Sequence, residues 1–264
     1  MLDLIDIRKT FNSGTINEKK ALQGVNLHLD DGDFCTVIGG NGAGKSTMLN
    51  AVAGVWPIDS GRILIDGKPV EGLCEHQRAS MLGRVFQDPM TGTAAGMTIA
   101  ENMAIAARRG KRRGLGSGIR RKEYDDFRDQ LAMLDLGLED RMTTQVGLLS
   151  GGQRQAVTLL MAAMLHPRLL LLDEHTAALD PKTAAKVLAL TQKLVTENHL
   201  TTLMITHNMK DALHYGNRII MMSEGRIVVD VDQAIKSSLH VDDLLQMFES
   251  SSGTALDNDR ILLG

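Results

Sequence analysis

Phe34-Cys35-Thr36-Val37-Ile38-Gly39-Gly40-Asn41-Gly42-Ala43-Gly44-Lys45-Ser46-Thr47 is the stretch whose reading decides the fold. Phe34 to Ile38 is a continuous run suited to a buried strand, and it delivers a glycine loop. The helix that opens near Gly44 carries Met48, Leu49 and Val52 on one side and stops at Gly54. In such a loop the glycines let successive backbone N–H groups turn inward around phosphate oxygens, and the helix start adds the positive end of its dipole. Gly39, Asn41, Gly42, Ala43 and Gly44 are therefore expected to cradle a nucleotide's phosphates. Lys45 should reach the β- and γ-phosphates, the Ser46 hydroxyl should ligate Mg²⁺ and Thr47 should bind the α-phosphate. A match to this loop pattern arises by chance in a chain of this length about once in a hundred.

Two later segments make coincidence untenable. Leu149-Ser150-Gly151-Gly152-Gln153 would arise by chance on the order of once in several thousand chains. Ser150 and Gln153 have the spacing of a capping box, which places this string at a helix N-terminus. Leu169-Leu170-Leu171-Leu172-Asp173-Glu174 is a buried strand that ends in two carboxylates. Asp173 is placed to hold Mg²⁺ through water, and Glu174 to take the proton of an attacking water. Gln87, where a third strand gives way to a helical block, can touch Mg²⁺ or that water. His207 ends the strand Leu203 to Thr206, where a γ-phosphate sensor is needed.

Around these segments, Leu2-Asp3-Leu4 and Val25, Leu27 and Leu29 alternate as antiparallel strands with one wet face. Asp66-Gly67 and Glu224-Gly225 read as hairpin turns. Thr98 to Glu101 forms a capping box for a helix running to about Arg108. Tyr124, Phe127, Leu131 and Leu134 repeat at helical spacing, with Gly137 as the expected stop. Asp180-Pro181 starts a long helix, and Val241 to Phe248 is a short amphipathic one. Strands alternating with helices predict a parallel α/β sheet.

Charged residues are 23% and hydrophobic ones 43%, with net charge −3, an ordinary globular composition. The opening residues lack a secretory layout, and no apolar stretch is long enough to span a bilayer. Cys35 and Cys74 lack metal-ligand spacing and read as a buried strand residue and a surface thiol. A soluble cytosolic protein is expected.

The quoted segments resemble the nucleotide-binding subunits of ABC transporters, and the resemblance covers residues 1–235. It implies an α/β P-loop NTPase fold: a RecA-like parallel-sheet core, an antiparallel β-subdomain and an inserted α-helical subdomain at about 88–165. Residues 236–264 are left as a helical extension and tail. In that family the segments correspond to Walker A (39–47), the Q-loop at Gln87, the signature (149–153), Walker B (169–174), the D-loop Ala178-Leu179-Asp180 and the switch His207. The resemblance implies two chains clamping two ATP molecules head to tail in an ATP-dependent homodimer. Ser150, Gly151, Gly152 and Gln153 then face the nucleotide held by the other copy. Phe11 falls where the family stacks an aromatic on adenine, its alternative being a core residue of the β-region. Gly40 and His175 stand where many importers carry Pro, and the helix after Gln155 lacks an Arg common in relatives.

A single cassette favours a transporter subunit at the cytoplasmic face of the membrane, with separate permease subunits docking near residues 87–105. The chain is similar to ATPase subunits of bacterial importers that work with extracytoplasmic binding proteins, in particular those for tryptophan or tyrosine. The competing reading is an ABC ATPase of an export or lipid system. Eight basic residues lie among the fifteen from Arg108 to Lys122, read first as a solvated loop and next as a contact to anionic lipid or a permease. Nucleic acid ranks last as a partner, because stacking aromatics are missing and net charge is negative.

Overall fold

The computed structural model describes residues 1–111 and 118–252. In chain order the elements begin β1 (Leu2–Phe11), β2 (Lys19–Leu29), β3 (Phe34–Gly39), α1 (Lys45–Ala53), β4 (Ser60–Ile65), β5 (Lys68–Pro69) and α2 (Glu75–Arg78). Next come β6 (Leu82–Val85), α3 (Ile99–Ala106), α4 (Arg121–Ala132), α5 (Gly151–Ala163), β7 (Leu169–Asp173) and α6 (Pro181–Glu197). The chain continues with β8 (Thr201–Ile205), α7 (Met209–His214), β9 (Arg218–Ser223), β10 (Arg226–Val231), α8 (Gln233–Lys236) and α9 (Val241–Ser252). Two compact units result, Met1–Arg78 with His199–Gly264, and Ala79–Asn198.

In the first unit the alternating segments pair as expected, with Leu2 opposite Leu29 and Leu4 opposite Leu27, and the antiparallel order is β2-β1-β4-β5. Asp66 and Gly67 both take left-handed backbone (φ 51° and 70°), the conformation that matches a tight hairpin to strand twist. In the other sheet β3 runs parallel to β8 and β9, and β10 returns antiparallel to β9. Every residue of β3 is buried, including Cys35, whose thiol burial pushes up, whereas Cys74 is exposed. Leu244 and Phe248 of α9 join Ile38 and Met221 in one apolar cluster.

Two buried cations are legible only in three dimensions. Arg78 is 1% exposed and donates to the Ala51 and Val52 carbonyls, both at 2.8 Å, so it caps the C-terminal end of α1. Lys236, 5% exposed, donates to the carbonyls of Tyr215 (2.5 Å) and Gly216 (2.7 Å).

In the second unit β6 and β7 are parallel, with Leu82 opposite Leu169 and Val85 opposite Leu172. Ile99, Met103, Phe127, Leu131, Val157 and Leu160 interlock α3, α4 and α5. Thr98 and Glu101 complete their capping box in both directions, at 2.7 and 3.2 Å. α4 stops at Ala132 rather than near Gly137. One tight turn, Leu134 N–H to Leu131 O at 3.0 Å, keeps Leu134 buried before Asp135 bends the chain with φ 52°.

Burial pushes the Lys236 ammonium from 10.5 down to about 8. Between those pH values the unfolded chain holds the extra proton, so raising pH stabilises the fold. Lys236→Met is expected to lower Tm at pH 7. In thermal melts from pH 8 to 10, the wild type should gain Tm relative to that variant.

Candidate nucleotide site

The phosphate loop is a strand end bent back on itself. Gly44 is the N-cap of α1 with φ 102°, and a side chain there would begin 2.6 Å from the Ala21 carbonyl oxygen, so only glycine fits. The Lys45 ammonium, almost fully buried, donates to the carbonyls of Gly39 (2.7 Å) and Gly40 (3.0 Å) and so lies inside the curve of the loop. The Ala43 carbonyl accepts from the Gly225 N–H at 2.9 Å. Gly225 belongs to the β9–β10 turn, and β2 holds that turn through Gln23, whose N–H meets Gly225 O and whose amide meets Glu224 O. The turn is legible in the sequence; its bracing of the loop is not. Asn41, Gly42 and Ser46 are exposed along the loop, and Thr47 is half-buried at the first turn of α1.

His207 follows β8 at the same sheet edge as Gly39, since Val37 lies opposite Ile205 in the parallel register. It is fixed from behind by Thr206 N–H on Val37 O and from ahead by Asn208, which caps α7 through the N–H groups of Lys210 and Asp211. Phe11 ends β1, half-buried, with its ring T-shaped to Trp56 at 4.9 Å and the Lys9 ammonium 5.5 Å from its centroid. Trp56 was not foreseen as its neighbour.

In the second unit the β6–β7 register puts Gln87 at the same edge as Asp173 and Glu174. Asp173 is half-buried at the end of β7, 4.0 Å from the Arg84 guanidinium, which also lies 4.4 Å from the Phe86 ring centroid. Glu174 takes left-handed backbone, φ 45°, a strain of about 1 kcal/mol for a residue other than glycine. Its carbonyl accepts from the Ala177 N–H at 3.0 Å, closing a turn directly behind the carboxylate.

Ser150 caps α5 as expected, its hydroxyl accepting from Gln153 N–H (3.3 Å) while the Gln153 amide oxygen accepts from Ser150 N–H (3.2 Å). The N-terminal N–H groups of α5 are thereby presented beside a hydroxyl, a ready anion site. A side chain at Gly152 would collide with the Thr183 methyl on α6, and one at Gly151 would meet Leu179 at 3.3 Å. The glycines therefore let the signature helix pack against the segment containing Asp180. Asp180 caps α6 by accepting from Thr183 N–H at 3.1 Å, and hydrogen bonds from the Thr183 hydroxyl and then its N–H hold the carboxyl below the usual range. Arg154, missed by sequence reading, fastens the approach to the signature by donating to the carbonyls of Val146, Gly147 and Leu149. His175, which in the sequence only stands where many importers carry Pro, is fully buried against Thr191 at 3.0 Å, and burial lowers its pKa to about 4.

A family model described as ABC transporter matches residues 22–177, more than half of the chain. The chain belongs to the ABC transporter family. It is 41% identical over 249 residues to a tyrosine transport ATP-binding protein of Clostridioides difficile, covering 94% of this chain and 99% of the relative. A phosphonates import ATP-binding protein of Alcaligenes faecalis is 32% identical over 269 residues, covering 98% of this chain and 95% of the relative. Among solved structures, a dimeric ATP-binding cassette in a post-hydrolysis state with ADP and Pi matches with TM-score 0.74 and 29% identity, over 88% of this chain and 99% of that one.

This ABC ATPase is an α/β P-loop NTPase that binds ATP and hydrolyses it. Among the described residues, no helix is long and apolar enough to cross a membrane, and no group of three His, Cys, Asp or Glu side chains could hold a metal. The Ser46 hydroxyl at the start of α1 and, in the second unit, the Gln87 amide and Asp173 carboxylate are each oxygen donors of the kind a hard cation such as Mg²⁺ takes. The basic segment of the cassette is only partly a solvated loop. Arg108 pairs with Glu123 at 3.1 Å and Arg109 donates to the Ala162 carbonyl, so both belong to the helical packing. Arg120, Arg121 and Lys122 are exposed, and residues 112–117 lie outside the described residues.

Lys45→Ala is expected to weaken ATP binding by about 10- to 100-fold, the size of one charge-assisted contact. Gly225→Ala, which touches no phosphate, should also weaken binding, because φ 75° and the Ala21 carbonyl at 2.7 Å would force the turn away from Ala43. Equilibrium titration with a fluorescent ATP analogue checks both. Unchanged affinity in Gly225→Ala would remove the brace.

Proposed function

We propose that this chain is the ATP-hydrolysing subunit of an importer, driving an amino acid of the tyrosine class through separate permease subunits. The likeness to a tyrosine transport ATP-binding protein over nearly the full length of both chains carries this reading. Residues 1–235 act as the nucleotide-binding domain, with the helical block at 88–165 and an extension at 236–264. The subunit works at the cytoplasmic face, with permeases docking near residues 87–105 and an extracytoplasmic binding protein delivering cargo.

The chemistry follows from the side chains. Backbone N–H groups of Gly39 to Gly44 and the Lys45 ammonium bind the phosphates, while Phe11 stacks on adenine. Ser46, Gln87 and Asp173 would hold Mg²⁺, which when bound neutralises charge on the β- and γ-phosphates. Glu174 accepts a proton from the water that attacks the γ-phosphorus. The bond to the β-phosphate oxygen then breaks, leaving ADP and phosphate, and His207 senses the γ-phosphate. Ser150 and the N-terminal N–H groups of Gly151 and Gly152 grip the γ-phosphate bound to the other copy, with Gln153 closing the cap and Asp180 beside them. Closure of that ATP-dependent homodimer is the stroke passed to the permeases.

Glu174→Gln should slow hydrolysis by roughly 10²–10⁴ while ATP still binds and holds two copies together. Ser150→Arg should leave ATP binding to one chain intact and abolish dimerisation in gel filtration. ATP-driven uptake of labelled tyrosine into vesicles carrying the co-purified membrane subunits tests the cargo. Uptake of a different solute alone would overturn that part.

A further inference from the structure

His175 directly follows Glu174, and its imidazole is buried in the interior. His175 and Thr191 are 2% and 1% exposed, and His175 Nε2 lies 3.0 Å from Thr191 Oγ1. The Thr191 hydroxyl donates its one proton to the Val187 carbonyl at 2.9 Å, so it can only accept from the ring. Nε2 therefore carries the proton of a neutral imidazole. Threonine is a modest helix former, and in the middle of α6 its buried hydroxyl is used twice, once along the helix and once across to the turn.

The bond joins two residues 16 positions apart, closing a span that begins one residue after Glu174 and contains Ala178-Leu179-Asp180. Within it the chain is otherwise fastened by Ala177 N–H on Glu174 O, Leu179 N–H on Thr176 O and the Asp180 cap of α6. Glu174 must be kept in a left-handed conformation that a free chain would leave. We propose that His175 is a positioning residue: through its bond to Thr191 it anchors the turn behind Glu174 to α6, fixing both the carboxylate and the Asp180 segment. The proposal rests on Glu174 acting as the base.

Two readouts on the full-length chain test it. In phosphate-release assays at saturating ATP, His175→Ala and Thr191→Val should each lower kcat about 10-fold or more, the scale of a displaced catalytic group, with ATP affinity unchanged. The double variant should be no slower than the slower single one. His175→Gln, whose amide N–H can reach Thr191, and Thr191→Ser, which keeps the hydroxyl, should each recover most of the rate. By hydrogen exchange, Ala177 and Leu179 should exchange faster in His175→Ala, while Asn102 and Met103 in α3 keep their protection. Turnover within twofold of wild type, no rescue by Gln and Ser, or equal loss of protection throughout would overturn the proposal. Normal turnover by Glu174→Gln would instead remove the base assignment, a result obtained without changing residue 175.

Discussion

Curling a backbone around an anion leaves its carbonyls without strand or helix partners, and each of them then needs a donor. The phosphate loop meets that requirement three ways. Lys45 supplies Gly39 and Gly40, Met48 N–H supplies Gly44 within the helix, and the Gly225 N–H supplies Ala43. The third donor comes from a turn more than 180 residues away in sequence, itself pinned by Gln23 on β2. Hairpin geometry and loop geometry are thus one problem. The left-handed backbone at Glu224 and Gly225 shapes the brace that keeps Ala43 in place.

The second unit solves its part with helix starts and strand ends. β6 and β7 deliver Gln87, Asp173 and Glu174 to one edge because the pair is parallel and in register. Ser150 and Asp180 each cap a helix and leave N-terminal N–H groups in defined positions. Missing Cβ atoms at Gly151 and Gly152 let one capped helix start lie against the other. Packing between the two helix starts is therefore enough to demand glycine at both positions.

Local chemistry was legible where one physical rule sufficed. The buried run of β3, the caps at Thr98, Ser150 and Asp180, and the turns at Asp66 and Glu224 all stand where short-range patterns placed them. The end of α4 was misplaced, because Gly137 looked like a stop while Asp135 supplied the left-handed residue two positions earlier. The roles of Arg78, Lys236 and Arg154 and the burial of His175 are invisible in the sequence for a different reason. Each is a polar residue whose partners are carbonyls or a hydroxyl five or more residues away, so nothing in its immediate neighbours marks the role. The arginines of residues 108 and 109 show the converse, a charge cluster that looked solvated until the Glu123 carboxylate and the Ala162 carbonyl came within reach.

The guanidinium of Arg78 has an electrical consequence for α1. Aligned peptide dipoles leave partial negative charge at a helix's last carbonyls, which weakens the field at its other end. With a buried cation on the Ala51 and Val52 oxygens, that tail is compensated. The short helix then behaves less like a two-ended dipole and more like a single positive pole aimed along its axis at Gly44.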